Sequence, residues 1–565
     1  MRVRRMVGLT AMLGSLAMAG PAQAQKLNPL IVENDLRAAT AQSEQRRTPA
    51  PVILPQSGQM PAEAANISFT FKDLTLEGAR AIPAEDLRRL WNVAPGDTTN
   101  VAAVFDYAEA ITAIYRNAGY ALSFAVVPAQ QIDSGSFSIQ VVEGRLEGLS
   151  IEGTRISDLV RSRILSGFSV VDPSQPTKIA ELERFLLLVN DLPGVTARGT
   201  ISPGETQQTS MLTLDVTQTR FDGGISYNNF LSDSLGRDVT VIDLKAFNQW
   251  TGRDALHISL KSAPDIAVYR SSSIDYDTYV GSDGLRLQFA ASESITEPKK
   301  GNLASLDFNS ISHSNSVKIR LPWKRARNSN IYVGGGLSSS HTISKNGNVV
   351  TSEDKLRVLS IYAEYDVSHA LGATSSLRLQ MNNGLTILGA RGDSRANAKP
   401  NFATYEITGS HTQPLMQTGS GNLVGSLSVR TQFINSDDPL LANAECSFGG
   451  RQYGIGFDAG ALSGENCALG SARLTWQRNM RNGGDAFIGQ AQYFLRYDSG
   501  TLRQKGPLAA GELRSVNASS MGVGLQLVFR NGIAFLLESS QQLRRSDGTA
   551  KRNKNRTHAS VHFGF

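Results

Sequence analysis

The sequence predicts a mainly β protein, a 16-stranded transmembrane β-barrel preceded by two periplasmic domains of the order β-α-α-β-β. Three observations lead to this fold class. The chain begins with a secretory signal, and from about residue 218 to the end apolar and polar residues alternate with a period of two. No internal apolar run reaches the ~18 residues that a spanning helix needs. Alternation of this kind is typical of strands with lipid on one face and water on the other.

The composition narrows the class of protein further. Of 565 residues, 19% are charged and 7% are aromatic, which excludes a disordered tail and a helical membrane protein. The 52 glycines suit a chain rich in strands and turns. The formal net charge of +6 falls to +3 once the signal, with three arginines and no acidic residue, is removed. This balance gives no support to a nucleic-acid partner.

Residues 1–24 form the predicted signal peptide. A basic start of three arginines precedes the apolar stretch Met6–Ala19, and Ala22 and Ala24 make a small-x-small cleavage site. Gln25 would be the first mature residue. The alternative is an uncleaved anchor helix, for which the apolar stretch is short.

Residues 25–47 have apolar positions at helical spacing and are predicted to form a helix. Residues 48–66 follow as a linker that contains four prolines and is expected to be extended. A helix tethered by a proline-rich linker is unusual in a globular enzyme. The alternatives are a helix with a role in the barrel and a frayed leader with no role.

Two similar units follow, at residues 67–144 and 145–217. In the first, a strand precedes a short helix at Ala84–Leu90 and a longer one at Val101–Ala118, and two strands close the unit. In the second, helices are expected at Ile156–Ser166 and Ile179–Asp191. Each unit therefore predicts a small β-α-α-β-β domain.

Residues 218–565 contain the barrel. In the segment VKIRLPW, for example, Val317, Ile319 and Leu321 alternate with Lys318 and Arg320. An even number of strands closes such a sheet without a free edge. Sixteen segments of this kind are centred near residues 225, 243, 258, 272, 289, 319, 334, 362, 380, 409, 427, 474, 492, 523, 537 and 561.

One connection, residues 444–467, is too long and too rich in glycine for a tight turn. Its aromatic residues argue against disorder. We expect it to fold inward and to lie in the barrel lumen. Cys446 and Cys467 are the two cysteines of the chain, and in a secreted protein such a pair predicts a disulfide, here at the base of the loop.

This loop and the first periplasmic unit resemble one known family. FGGxxYGxGFDxGxLSGxxxALGS is similar to the sixth-loop motif of the two-partner secretion transporters (TpsB), the haemolysin and filamentous-haemagglutinin secretion and activation proteins. YxxxGYxxxxxxxPxQ, followed by GxxxIxVVEG between Tyr115 and Gly144, resembles the POTRA signature of the same family. The sixth-loop positions that carry the resemblance, or stand where the family motif lies, are Phe448, Gly449, Gly450, Tyr453, Gly454, Ile455, Gly456, Phe457, Ser463 and Gly464.

The chain departs from the family motif at three positions. Ile455 replaces an arginine, Glu465 an aspartate and Arg473 a glutamate. In the family, the loop arginine pairs with an aspartate of the inner wall, and the matching aspartate is Asp498. We therefore predict a lumenal lock in which Arg473 from the wall, or Arg451 from the loop, pairs with Asp498. The alternative is a lock without an ion pair, formed by loop aromatics and the disulfide.

The resemblance also implies partners. A POTRA domain binds an unfolded client at a sheet edge beside an apolar groove, and here the groove would involve Tyr115, Tyr120, Phe124 and Val126. The alternative is that these four are core residues. The terminal alternation that contains Phe563 and Phe565 resembles the signal that the barrel-assembly machinery recognises.

The function implied by the resemblance is an outer-membrane pore that recognises an unfolded exoprotein through its N-terminal secretion domain and passes it to the cell surface. Residues 25–47 would then plug the pore. Lipid and lipopolysaccharide would surround the barrel. No catalytic motif, metal-ligand spacing or cofactor motif is present in the sequence, so we expect no enzyme activity and no cofactor. The alternatives are an outer-membrane assembly factor, a gated porin or receptor, and an outer-membrane enzyme.

Overall fold

The computed structural model describes residues 60–132, 134–169, 171–206, 208–436, 438–480, 487–506, 508, 512–546 and 555–565. The predicted signal peptide, the helix at 25–47 and most of the linker at 48–66 lie outside these residues. None of the helices in the described ranges combines the length and the apolar composition needed to cross a membrane.

The first periplasmic unit is a three-stranded sheet covered by two helices. Asn100 caps the longer helix by accepting a hydrogen bond from the Ala103 amide at 3.0 Å. Its apolar face, with Val104 and Ile111 fully buried, packs on the sheet. The elements are β1 (Ser68–Thr70), β2 (Asp73–Glu77), α1 (Ala84–Arg88), β3 (Thr98–Asn100), α2 (Val101–Asn117), β4 (Phe124–Val126) and β5 (Ser136–Val142). The sheet order is β2-β5-β4, so β2 and β4 are edge strands, and β1 pairs separately with β3.

The second unit repeats this order of elements. Ser157 caps its first helix through the Val160 amide at 3.4 Å. Leu182, Leu212 and Leu214 are fully buried between helices and sheet. The elements are β6 (Arg145–Glu152), α3 (Asp158–Phe168), α4 (Ile179–Asn190), β7 (Val195–Pro203) and β8 (Thr209–Gln218), with the sheet order β6-β8-β7.

The barrel is closed and has sixteen antiparallel strands, which confirms the predicted fold class. Each of the sixteen predicted segments corresponds to one strand. The strands are β9 (Phe221–Asn228), β10 (Val239–Phe247), β11 (Asp254–Ser262), β12 (Tyr269–Val280), β13 (Leu285–Thr296), β14 (Phe308–Arg325), β15 (Ser329–Asn346), β16 (Val349–Ser368), β17 (Thr374–Gly384), β18 (Ala403–Thr418), β19 (Gly421–Ile434), β22 (Asn466–Asn479), β23 (Ile488–Arg503), β24 (Ser515–Phe529), β25 (Ala534–Arg545) and β26 (Asn555–Gly564), and a short helix α5 (Asn302–Ser305) precedes β14. The last strand pairs with the first, from Ser560↔Asn228 to Gly564↔Gly224.

The barrel wall alternates as the sequence predicts. On β23, the outward side chains of Tyr493, Leu495 and Tyr497 are exposed. Arg496 and Asp498 point to the other face of the strand and are buried. The exposed residues are apolar or aromatic because lipid would cover that face. The buried ones are polar and face the lumen.

The second periplasmic unit contacts the barrel at the first three turns of its periplasmic end. At the second of these turns, Arg184 donates to the Asp283 carbonyl oxygen at 3.4 Å. The Arg325 guanidinium binds both carboxylate oxygens of Asp191 at 2.8 Å. Arg163 donates to the Thr251 carbonyl oxygen at 3.0 Å. The chain enters the barrel at this end. The connection that follows the first strand, β9, therefore lies at the opposite, extracellular end, and so does every second connection after it.

Candidate functional site

The sixth extracellular connection, residues 435–465, is called loop 6 here. It joins β19 to β22 and contains a two-stranded hairpin of β20 (Cys446–Phe448) and β21 (Leu462–Gly464). A disulfide joins Cys446 to Cys467 with a Cα–Cα distance of 6.4 Å. Phe448 and Phe457 are buried at 0% and 1% exposure, and they pack with Leu469 of the wall. Loop 6 is therefore a folded element that packs against the inside of the barrel.

The glycines of loop 6 allow this packing. Gly454 has φ 92°, and a Cβ there would lie 2.7 Å from the Phe448 ring. A Cβ on Gly456 would lie 3.0 Å from Cβ of Ser520 on β24. A side chain at either position would push the loop away from its own aromatic residue or from the wall.

Asp498 binds the tip of loop 6, but its ion-pair partner is not the one predicted. Asp498 is fully buried and accepts a hydrogen bond from the Ile455 amide at 2.9 Å. Its other carboxylate oxygen pairs with Nε of Arg496 at 2.9 Å. Arg496 also donates to the carbonyl oxygens of Arg451 and Gln452, at 2.7 Å and 2.5 Å. One wall arginine therefore neutralises the aspartate and binds the loop main chain.

The predicted pairing of Arg473 or Arg451 with Asp498 is wrong. Arg473 lies directly opposite Arg496 on the neighbouring strand, and its guanidinium stacks 3.7 Å above the Phe494 ring. Arg496 is two residues from Asp498 on the same strand and reaches it without crossing to another strand. Arg451 instead pairs with Glu538 of β25 at 2.6 Å. Each arginine therefore has a different partner.

The tip of loop 6 also contacts the last two barrel strands. Ser540 and Nε2 of His558 both donate to the Ile455 carbonyl oxygen at 3.2 Å. Gln542 donates to the Gly456 carbonyl oxygen at 2.9 Å. These contacts use the loop main chain, so they do not depend on which side chain stands at 455. An isoleucine can therefore occupy the family's arginine position while the tip stays attached.

A further ion-pair group connects the tip to the barrel seam. Arg556 of β26 binds Asp458 of loop 6 at 2.5 Å and Asp233 of the first connection at 3.0 Å. Because β26 and β9 form the seam, this arginine joins loop 6 to both sides of the closure.

Sequence reasoning did not assign Arg496, Glu538, Ser540, Gln542 and Arg556 to the site. The alternation of the sequence already placed these residues on the face that carries the site. Arg496 shares its face with Asp498, and Glu538, Ser540 and Gln542 occupy every second position of β25. Polar side chains repeating at period two beside a lumenal loop could have identified them.

The four predicted groove residues do not form one exposed surface. Tyr115 is fully buried in the core of the first unit, and its hydroxyl donates to Glu143 at 2.7 Å. Burial raises the pKa of the Tyr115 phenol above its ordinary value, and the hydrogen bond to Glu143 raises it further. Tyr115 is therefore a core residue, since α2 presents it to the sheet. Phe124 and Val126 are half-buried on the edge strand β4, and Tyr120 is half-buried beside Tyr115.

The chain end lies on the outside of the barrel. Phe563 and Phe565 are 48% and 72% exposed. The main-chain groups of Phe565 pair with Gly223 at 2.9 and 3.1 Å. Among the described residues, no group of His, Cys, Asp or Glu has an arrangement that could hold a metal ion.

Comparison with known proteins gives two matching family models. The model for the haemolysin secretion/activation protein ShlB/FhaC/HecB matches residues 208–527. The model for the ShlB-type POTRA domain matches residues 69–144.

Similar curated proteins include two transporters. The heme/hemopexin transporter protein HuxB of Haemophilus influenzae is 25% identical over 380 residues, which cover 65% of this chain and 65% of HuxB. The outer membrane transporter CdiB of Escherichia coli is 25% identical over 167 residues, which cover 29% of this chain and 27% of CdiB. The match therefore spans just under two-thirds of the length of that HuxB.

Solved structures that share the fold include two of CdiB. CdiB from Escherichia coli superposes with a TM-score of 0.75 at 18% identity, covering 98% of this chain and 100% of that one. CdiB from Acinetobacter baumannii gives a TM-score of 0.65 at 15% identity, covering 95% and 98%.

The match at 208–527 covers more than half of the chain. It confirms the resemblance to two-partner secretion transporters, a family of outer-membrane transporters whose POTRA domains lie in the periplasm. The chain belongs to the haemolysin secretion/activation family ShlB/FhaC/HecB.

Proposed function

We propose that this protein is the outer-membrane pore of a two-partner secretion system. It recognises an unfolded exoprotein in the periplasm, through that protein's N-terminal secretion domain, and passes it through the barrel to the cell surface. The observation that carries the proposal is loop 6, which occupies the lumen of a closed barrel and is attached at its tip by noncovalent contacts. A polypeptide can pass only if the contacts between the tip and the barrel wall break.

Binding would begin at the periplasmic sheets. In the first unit β4 is an edge strand, with Phe124 and Val126 on it, and in the second unit β6 and β7 are edges. An extended client can add a strand at such an edge, where main-chain hydrogen bonds give affinity and side-chain pockets give selectivity. Tyr115 would act by supporting the domain core.

Release would be driven by folding of the exoprotein outside the cell. We assign no catalytic step to this protein, because binding, passage and folding account for transport. Activation of a haemolysin-like client would then be a folding event.

The remaining partners follow from the barrel. Lipid and lipopolysaccharide would cover the apolar outer face, which includes Trp323 at 75% exposure. The barrel-assembly machinery would recognise the terminal strand with Phe563 and Phe565. The domain division we propose is a signal at 1–24, a plug helix at 25–47, a linker at 48–66, POTRA domains at 67–144 and 145–217, and the barrel at 218–565.

The test is planar-bilayer conductance of the purified protein with and without residues 25–63, together with secretion of the product of a neighbouring reading frame. We expect a closed or small channel that opens on deletion, and secretion that requires the full chain. A large, steady channel in both forms would indicate a porin. Absence of any channel, with no secretion of the client, would favour an assembly factor.

A further inference from the structure

Arg395 occupies an unusual position at the extracellular end of the barrel. It belongs to loop 5, residues 385–402, which joins β17 to β18. Its side chain is only 5% exposed although it lies in an external loop. A buried arginine needs charged or hydrogen-bonding partners, and these identify what it does.

The partners of Arg395 come from two other loops. Its guanidinium pairs with Glu445 at 2.7 Å and with Glu465 at 3.4 Å, on the two arms of loop 6. It also pairs with Glu512 at 3.2 Å and donates a hydrogen bond to the side-chain oxygen of Gln504 at 3.1 Å. Both residues belong to loop 7 (residues 504–514). One cation therefore joins loops 5, 6 and 7.

The carboxylates of this group are buried as deeply as the arginine. The side chains of Glu445 and Glu465 are 1% and 0% exposed. Glu465 also accepts a hydrogen bond from the Lys505 amide of loop 7 at 2.8 Å. Position 465 is one of the departures from the family motif, and its glutamate contacts both neighbouring loops.

Loop 5 is itself fixed to the barrel wall. Asp354 of β16 is buried and accepts hydrogen bonds from the amides of Asp393 and Ser394, at 3.2 Å and 3.1 Å. Ser394 in turn accepts a hydrogen bond from the Ala442 amide of loop 6 at 3.1 Å. Loop 5 is thus held in place by the barrel wall, and the ion pairs of Arg395 hold loops 6 and 7 against loop 5.

We propose that Arg395 is a latch that keeps the extracellular end of the pore closed. Its ion pairs must separate before loops 5, 6 and 7 can move apart and let a polypeptide leave. The latch acts on the base of loop 6 and is separate from the lumenal contacts of the tip. The inference rests on the proposed pore function, but its test needs no client.

The first experiment records single channels from the parent protein and from Arg395→Gln in planar bilayers, each with and without residues 25–63, because a plug at 25–47 would otherwise mask a change at the extracellular end. We expect open probability to rise by at least about tenfold, because the substitution leaves buried carboxylates without their cation. The matched control is Lys399→Gln. Lys399 of loop 5 pairs with Asp438 of loop 6 at 2.9 Å, but both side chains are exposed, at 63% and 51%. This control should change open probability by less than about twofold.

Two further variants keep the test decisive. Arg395→Lys retains the charge but lacks the planar fork that contacts carboxylates of loops 6 and 7 at once. It should therefore give an intermediate rise in open probability even if Arg395→Gln fails to fold. Arg395→Gln combined with Glu445→Gln and Glu465→Gln removes the buried charge repulsion and should lower open probability from the level of the single variant. A parent channel that is already open, or folded Arg395 variants that gate like the parent, would overturn the latch.

The latch and the pore function fail in different ways. If the parent secretes a client while Arg395 variants gate and secrete like it, only the latch is wrong. If no client is transported but Arg395→Gln still opens a channel, the proposed function is wrong and the latch remains.

Discussion

The tip and the base of loop 6 are attached to the barrel by different kinds of contact. At the tip, wall side chains such as Arg496, Ser540 and Gln542 bind carbonyl oxygens of the loop, and two ion pairs add to these noncovalent contacts. At the base, a disulfide and the buried ring of Phe448 connect specific side chains. Noncovalent contacts can re-form after release, whereas the disulfide attaches the base permanently. The difference indicates that the tip is the moving part.

The largest effect is expected from Arg496→Met. The substitution removes the hydrogen bonds to two loop carbonyl groups and leaves Asp498 as a buried unpaired charge, which costs about 4 kcal/mol. Chemical unfolding of the protein in detergent micelles would measure this loss, and limited proteolysis would show whether loop 6 has left the lumen. An Arg496→Met protein as stable as the parent would contradict the assigned role of the tip contacts.

Removal of the disulfide should have the next largest effect. The double variant Cys446→Ala and Cys467→Ala releases a closed loop with a sequence separation of 21 residues. The expected loss is about 3 kcal/mol from chain entropy. Because the tip contacts remain, proteolysis of loop 6 under native conditions should stay near the parent rate. Rapid cleavage at the tip would show that the two attachments are not independent.

Asp498→Asn should be milder than Arg496→Met. The amide oxygen can still accept the Ile455 hydrogen bond, but the charge interaction with Arg496 is lost, so we expect a loss of about 2 kcal/mol. The same unfolding measurement applies. Equal unfolding midpoints for this variant and the parent would show that the ion pair between Asp498 and Arg496 does not stabilise the attachment of loop 6.

Arg473→Met should have the smallest effect. Its guanidinium stacks on Phe494, and loss of that contact costs about 1 kcal/mol or less. It also serves as the matched control for Arg496→Met, since the two arginines lie opposite each other in the sheet. If Arg473→Met were the more damaging change, the original pairing of Arg473 with Asp498 would have to be reconsidered.

The alternation of the sequence predicted the strands and the faces of the barrel because side-chain direction in a strand has a strict period of two. The same period assigns Asp498 and Arg496 to one face of β23, and both are buried. It could not choose between Arg496 and Arg473, because both face the lumen and only the three-dimensional contacts determine which one reaches the aspartate. The position of Tyr115 was also undetermined, since a helix in a small domain can bury an aromatic residue or present it to a groove.

The hairpin at the base of loop 6 has a consequence for the barrier function of the membrane. Residues 449–461 connect β20 to β21 and lie outside the strand pairing of this hairpin. A segment of this length, leaving and returning to one root, reaches roughly 20 Å at most. After a polypeptide has passed, the tip therefore searches a small volume and finds its binding groups quickly. Such a tether allows the channel to reseal after every passage and limits leakage of small solutes across the envelope.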